Sequence, residues 1–167
     1  MRQWLTRFRV ALGFALGALV LWLATPAWPA WVAGAGIAAC GELLRLWAAG
    51  HLEKSREVTT SGPYRYTRHP LYAGSTLIGI GLAVASANVV VAAIIGLYLG
   101  LTLSAARRSE EAHLREKFGD AYDAYAENRA APMARRFSWA RALRNREHHT
   151  IAGLIAGFAL LALKIGW

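Results

Sequence analysis

The chain contains a single cysteine, Cys40, set inside an apolar stretch. No internal disulfide can form, and Cys40 has no companions at zinc-ligand spacing, so no metal site is expected. The expected role of Cys40 is a small buried core residue. No strand-like segment runs into a glycine-rich turn, which leaves out a Rossmann domain. Internal repeats and low-complexity tails are missing too. Acidic residues are scarce: 10 Asp and Glu stand against 19 Lys and Arg, giving a net charge of +9. No aromatic-rich basic soluble module accompanies that surplus, so nucleic acid is not an expected partner.

What is abundant is apolar sequence. Hydrophobic residues make up 56% and charged residues 17%, and the charges gather in three blocks between apolar runs, the pattern of a membrane chain. The runs are Val10–Ala24, Trp28–Leu44 (prolonged to residue 47), Leu71–Ala87, Val89–Ala106 and Ile151–Trp167. A helix crossing a hydrocarbon core of roughly 30 Å wants about 20 residues. These runs are shorter, so tilt, flanking residues or bilayer thinning must supply the difference. Glu42 and Arg45 are three apart and can pair on one helix face. Lys164 can snorkel to the interface. The expected fold is all-α: a polytopic membrane protein of about five transmembrane helices with a cytoplasmic amphipathic helix and no Rossmann domain. The whole of 1–167 reads as one domain, with spans near 10–24, 28–47, 71–87, 89–106 and 151–167.

Orientation follows from the basic residues. Block 1–9 holds three, block 45–68 five and block 107–150 ten, eighteen of nineteen in all. The connections at 25–29 and 86–88 hold none. An inside N-terminus then places all three blocks on the cytoplasmic side. Pro26, Pro29 and Asn88 mark the outer turns. Anionic lipid headgroups account for the basic surplus. A cleaved signal peptide is the rival reading of Arg2, Arg7, Arg9 and the first run, but its removal would leave the second run without a hairpin partner.

Two polar segments meet the membrane face, one in 48–70 and one in 107–137. In the first, Ser61-Gly62-Pro63-Tyr64 reads as a turn. Arg68-His69-Pro70-Leu71-Tyr72 starts the third span, with Pro70 at a helix start where its missing N–H costs nothing. The free N–H groups there suit a carboxylate or other anion. Each of Arg68, His69, Tyr64 and Tyr72 taken alone reads as well as an interfacial anchor. In the second segment Leu114, Phe118, Tyr122 and Tyr125 share one helix face, and Glu110 and Glu111 project towards that apolar side. A buried carboxylate needs a partner. The plainer reading is a first helical turn capped by Ser109, where acidic residues are favoured anyway. A helix N-terminus, carboxylates and aromatics together match a zwitterionic, ring-bearing cofactor such as S-adenosylmethionine, and they match other ligands too.

Two ordered motifs narrow this. Gly62-Pro63-Tyr64-Arg65-x-x-Arg68-His69-Pro70-x-Tyr72-x-Gly74 is followed by Glu110-Glu111-x-x-Leu114-x-x-x-Phe118-Gly119-x-x-Tyr122-x-x-Tyr125. Together they resemble the isoprenylcysteine carboxyl methyltransferase and phospholipid methyltransferase superfamily, over roughly residues 45–137. The resemblance implies an integral membrane enzyme that uses S-adenosylmethionine and releases S-adenosylhomocysteine. It implies cofactor contacts from His51, from the loop Arg56, Glu57, Val58 and Thr59, and from Tyr64. Arg68, His69, Pro70, Leu71 and Tyr72 follow, with Glu110 and its neighbour Glu111. The family's substrate-binding arginine falls on Ala106 here, with Arg107 immediately after; a one-position shift turns a helical side chain by about 100°. Arg107 is the substrate-positioning candidate.

The implied chemistry is methyl transfer to a small or amphiphilic acceptor from the bilayer, through an O, N or S nucleophile. Two rivals stand beside it. A sterol-reductase-like enzyme of the same membrane fold would bind NADPH, but its second motif differs from Glu110-Glu111, Lys117-Phe118-Gly119 and Tyr122. A non-catalytic lipid-binding scaffold would keep the helices without the cofactor. The basic tail 132–146, with Phe137 and Trp139, reads either as a pocket cover or as a headgroup anchor. Gly34/Gly36 and Gly79/Gly81 fit close helix packing.

Overall fold

A computed structural model describes residues 15–166. Arg2, Arg7, Arg9 and the start of the first expected span lie outside the described residues. Residues 15–23 are helical and form the described part of α1. α2 covers Trp28–His51, α3 Pro70–Ser86, α4 Val89–Phe118, α5 Asp120–Ala126, α6 Trp139–Arg144 and α7 Glu147–Ile165. A 3-10 turn covers Gly62–Arg65. No strand occurs among the described residues.

Three helices are long and apolar enough to cross a membrane, α2, α4 and α7, and α3 is a shorter apolar helix. α3 rises about 26 Å at ~1.5 Å per residue, a little less than a typical hydrocarbon core. The chain is an integral membrane protein.

Local sequence explains the helix starts. Pro70 opens α3 and Pro29 lies in the first turn of α2. Asn88 caps α4, its side-chain oxygen accepting from the N–H groups of Val90 (2.9 Å) and Val91 (3.2 Å). The same residue donates through Nδ2 to Leu23 O (3.0 Å), tying α1 to the α3–α4 turn. Lys164 does more than snorkel: its ammonium donates to Leu21 O (2.8 Å) and Trp22 O (2.7 Å), satisfying carbonyls at the end of α1. Trp31 Nε1 donates to Phe158 O (2.9 Å), joining α2 to α7.

The tightest packing is between α2 and α3, an antiparallel pair whose backbones touch at two levels. A Cβ added to Gly81 would stand 2.5 Å from Gly34 O, and one added to Gly74 would stand 2.6 Å from Gly41 O. Without a hydrophobic driving force between helices in lipid, such close approach is what small residues provide. The expected glycine pairs are corrected in part. Gly34 and Gly81 do pack, but against each other. Gly36 faces open space, and Gly79 lies under the Leu99 side chain. Gly41 and Gly74 form the second contact. Cys40 is also corrected: it is exposed, because Gly34, Ala38 and Gly41 occupy the buried face of α2.

Two boundaries differ from the hydropathy pattern. α4 continues unbroken past Ala106 to Phe118, so Ser109 caps no new helix. The face from Leu114 to Tyr125 is interrupted at Gly119 (φ 47°), where α5 begins. The Glu42–Arg45 pair is loose at 3.8 Å. Arg45 instead grips Glu147 of α7 through Nη2 (2.6 Å) and Nε (3.2 Å), and donates to Ser75 Oγ of α3 (2.6 Å). A guanidinium fork satisfies a carboxylate across helices better than along one helix face.

Replacing Gly81 by leucine should destabilise the detergent-solubilised protein by about 1–3 kcal/mol through overpacking, or prevent folding. Gly36→Leu should be tolerated, since nothing lies within 4 Å of its Cβ position. Thermal unfolding followed by circular dichroism compares the two; equal losses would contradict the packing described.

Candidate cofactor and acceptor site

The polar prolongation of α4 beyond Ala106 brings two carboxylates over the start of α3. Tyr72 Oη donates to Glu110 Oε2 at 2.6 Å. His69 Nε2 meets Glu111 Oε1 at 2.7 Å, with both side chains half-buried. The His69 and Tyr72 rings lie 5.6 Å apart, centroid to centroid, tilted by 31°. Adjacent residues on a helix point about 100° apart, so two neighbouring glutamates meet two partners three residues apart on α3. The bond from His69 holds the Glu111 carboxyl below its ordinary value of 4.5.

Pro70 is buried at the start of α3, and the first turn, with no preceding turn to supply carbonyls, leaves the N–H groups of Leu71 and Tyr72 without intrahelical partners. A cavity of about 550 Å³ opens beside this end, with Arg68, His69, Tyr72, Arg107 and Glu111 at its polar mouth. Ligand sites commonly occupy about 300–1,000 Å³.

The remaining expected residues lie in a second cluster around the end of α2. His51 is buried, with Nδ1 3.1 Å from Ser61 Oγ. Gly62 (φ 57°) passes directly under the imidazole; a Cβ there would stand 2.6 Å from the ring. Glu57 is ion-paired with Arg135, whose Nη1 also donates to His51 O (3.1 Å). Arg56 is exposed and faces Glu53 at 3.9 Å. Thr59 is buried and accepts from the Glu53 N–H (3.4 Å), and Val58 is half-buried. The structure thus joins His69, Tyr72, Glu110 and Glu111 directly, and ties His51 and Glu57 together through Arg135.

Two tethers connect the clusters. Tyr125 Oη donates to Tyr64 O (2.9 Å), and Lys117 Nζ donates to Ser55 O (2.7 Å). Tyr64 is itself buried, and burial raises its phenol well above the ordinary range; burial pushes Tyr125 up to about 12. Both therefore act as neutral donors or apolar walls. The basic tail straps across the end of α2. Ser138 N–H donates to Gly50 O (3.1 Å), Asn145 Nδ2 donates to Ala49 O (2.8 Å) and Leu52 O (3.0 Å), and Phe137 covers Gly50. Trp139 and Leu143 of α6 stay exposed, as an interfacial segment requires. Ser61, which reads from sequence only as part of a turn, and Arg135 are members of this arrangement that were not among the expected site residues. Arg135 carried no signal, being one basic residue in a basic tail.

The Glu111 shift has a pH consequence. A depressed carboxyl contributes stability that is complete above its ordinary value and is lost as pH falls through the lower folded value. Thermal unfolding should therefore show the native protein more stable than Glu111→Gln at neutral pH, with the gap closing below about pH 4. A gap that widens on acidification would contradict the assignment.

Among the described residues no group of three or more His, Cys, Asp and Glu is placed to hold a metal ion. No solved structure matches the chain significantly. Among characterised proteins, the nickel-cobalt-cadmium resistance protein NccN of Alcaligenes xylosoxydans xylosoxydans is 38% identical over 49% of this chain and 39% of its own length. The cobalt-zinc-cadmium resistance protein CzcN of Cupriavidus metallidurans is 36% identical over 44% and 35%. The protein-S-isoprenylcysteine O-methyltransferase of Schizosaccharomyces pombe is 34% identical over 46% and 33%. The matched stretch thus covers little more than a third of these relatives. Residues 8–121, well over half of the chain, match phospholipid methyltransferase, and the protein belongs to that family.

Proposed function

We propose that the protein transfers a methyl group from S-adenosylmethionine to an acceptor that partitions into the membrane, at the cytoplasmic surface. The observation that carries this reading is the pairing of His69 and Tyr72, at the start of α3, with Glu111 and Glu110 of α4, in a chain of a methyltransferase family. The residues present fit the cofactor. The first turn of α3 offers N–H groups to a carboxylate. Glu110 and Glu111 would supply carboxylate charge to an ammonium, and the His69 and Tyr72 rings would offer a wall to a heterocycle. Bound there, the cofactor supplies an electrophilic methyl group on a sulfonium.

The protein's own work in this reading is positioning. Direct displacement needs the nucleophile in line and water kept out. Arg107 lies one turn before Glu110 and Glu111 and lines the same cavity, so it orients the acceptor. Of the other expected contacts, Arg68 lines the same cavity, whereas Tyr64, Pro70, Leu71 and the cluster of His51 with the loop 56–59 lie outside its lining; in this reading they would contact the cofactor from the end of α2, where Arg135 holds Glu57 and His51. A carboxylate acceptor is nucleophilic as it stands and needs no base. The three basic blocks favour an inside N-terminus, which puts this surface in the cytoplasm.

Calorimetric titration of the solubilised protein tests the reading. S-adenosylhomocysteine and S-adenosylmethionine should bind saturably, and Glu110→Ala should weaken both by about tenfold or more, the loss of one charge-assisted contact. NADPH should give no heat. Folded protein that binds neither adenosyl ligand would sink the cofactor assignment; NADPH binding would then favour a reductase, and silence with all three a scaffold.

A further inference from the structure

Tyr122 of α5 carries a buried hydroxyl with no partner. The residue is 1% exposed, and its Oη makes no hydrogen bond among the described residues. Burying a hydroxyl without a hydrogen bond is unfavourable, and such orphans are few in native proteins. The other buried side chains with an unbonded polar atom each face an opposite charge. Glu42 faces Arg45 at 3.8 Å, Arg141 faces Glu53 at 4.0 Å, and Glu57 is paired with Arg135. Tyr122 has neither a bond nor a counter-charge of its own.

The ring is held in place. Gly119 (φ 47°) turns the chain out of α4, and the Tyr122 N–H donates to Gly119 O (3.0 Å). The Arg115 guanidinium lies over the ring, 5.6 Å from its centroid, and Arg115 is itself paired with Asp123 (3.2 Å). Three residues further on, the Tyr125 hydroxyl donates to Tyr64 O (2.9 Å). The same short helix thus satisfies one phenol and leaves the other unpaired.

The surroundings identify the missing partner. The charges that act on the Tyr122 phenol include those of Glu111 and Arg68, and both residues line the mouth of the cavity. Glu110 and Glu111 already accept from Tyr72 and His69. Arg68 makes no ion pair among the described residues. The first turn of α3 offers N–H groups as well. Burial raises the Tyr122 phenol above its ordinary value of 10, and the Glu111 charge adds to this, so at neutral pH the hydroxyl keeps its proton and can donate. The uncommitted groups here are all donors, and the partner they share is an anionic acceptor.

We infer that Tyr122 is a further ligand-binding residue: with Arg68 and the free N–H groups at the start of α3, its hydroxyl holds the carboxylate at the amino-acid end of an adenosyl ligand. This rests on the S-adenosylmethionine reading and assigns the two charges of the zwitterion to different groups. The ammonium is left to Glu110 and Glu111. A phenol bonded to a carboxylate is charge-assisted and stronger than a neutral pair.

The test titrates the solubilised full chain with two probes, S-adenosylhomocysteine and its decarboxylated analogue, which keeps the nucleoside, thioether and ammonium. The native protein should bind S-adenosylhomocysteine more tightly. Tyr122→Phe should lose about tenfold in affinity for S-adenosylhomocysteine and nothing for the analogue. Arg68→Gln should show the same selective loss. Without ligand, thermal unfolding of Tyr122→Phe should match or exceed that of the native protein, because no bond is removed. Equal losses for both probes, unchanged S-adenosylhomocysteine binding in Tyr122→Phe, or a lower unfolding temperature would overturn the subsite and leave the cofactor reading standing. Native folded protein that binds neither probe would remove the cofactor reading, and the subsite with it.

Discussion

The backbone contact between α2 and α3 sets the geometry on which the polar end of the helices depends. Gly34 meets Gly81 and Gly41 meets Gly74, and two contacts a heptad apart fix both the register and the separation of the pair. That register brings Arg45 of α2 beside the first turn of α3, where it bonds to Ser75 and reaches on to Glu147 of α7. Leaving the buried Glu147 carboxylate without its guanidinium would be costly, so three helices are held at one level. Everything above that level inherits the alignment, including the end of α2 with His51 and the start of α3 with His69 and Pro70.

The site is then completed from a different direction. α4 does not stop at the end of its apolar run, and its last turns carry Glu110 and Glu111 back over α3. α4 touches α3 much less intimately than α2 does, and the space between them is the cavity. The same looseness that opens the cavity makes the two carboxylate bonds the cross-braces of its mouth. Gly119 turns the chain so that Tyr125 can reach Tyr64, and the tail returns to cover the end of α2. A rigid pair and a braced, open pair share α3 between them.

Much of this was legible in the sequence because it rests on local rules. Apolar run length marks the helices, Pro70 marks a helix start, and the spacing of Glu110 and Glu111 from Leu114 and Phe118 points them inward. The partners of these groups were less legible, because a partner is set by tertiary register. Glu42 and Arg45 satisfy a helical pairing rule, yet Arg45 finds Glu147 about a hundred residues away. Gly36 and Gly79 look like packing glycines by composition, but register selects Gly34, Gly41, Gly74 and Gly81. Cys40 reads as core by hydropathy, although in a membrane an apolar residue is as much at home facing lipid. Ser61 reads only as part of a turn and Arg135 belongs to no motif; the return path of the tail brings Arg135 to Glu57 and His51.

The central claim is that an adenosyl ligand sits where the start of α3 meets the prolonged α4. An experimental structure of the full chain with S-adenosylhomocysteine bound tests it most directly. The account predicts ligand density against the first turn of α3, with its ammonium at Glu110 or Glu111 and its ring beside His69 or Tyr72. Density confined to the exposed faces of the strap, away from both glutamates, would contradict it.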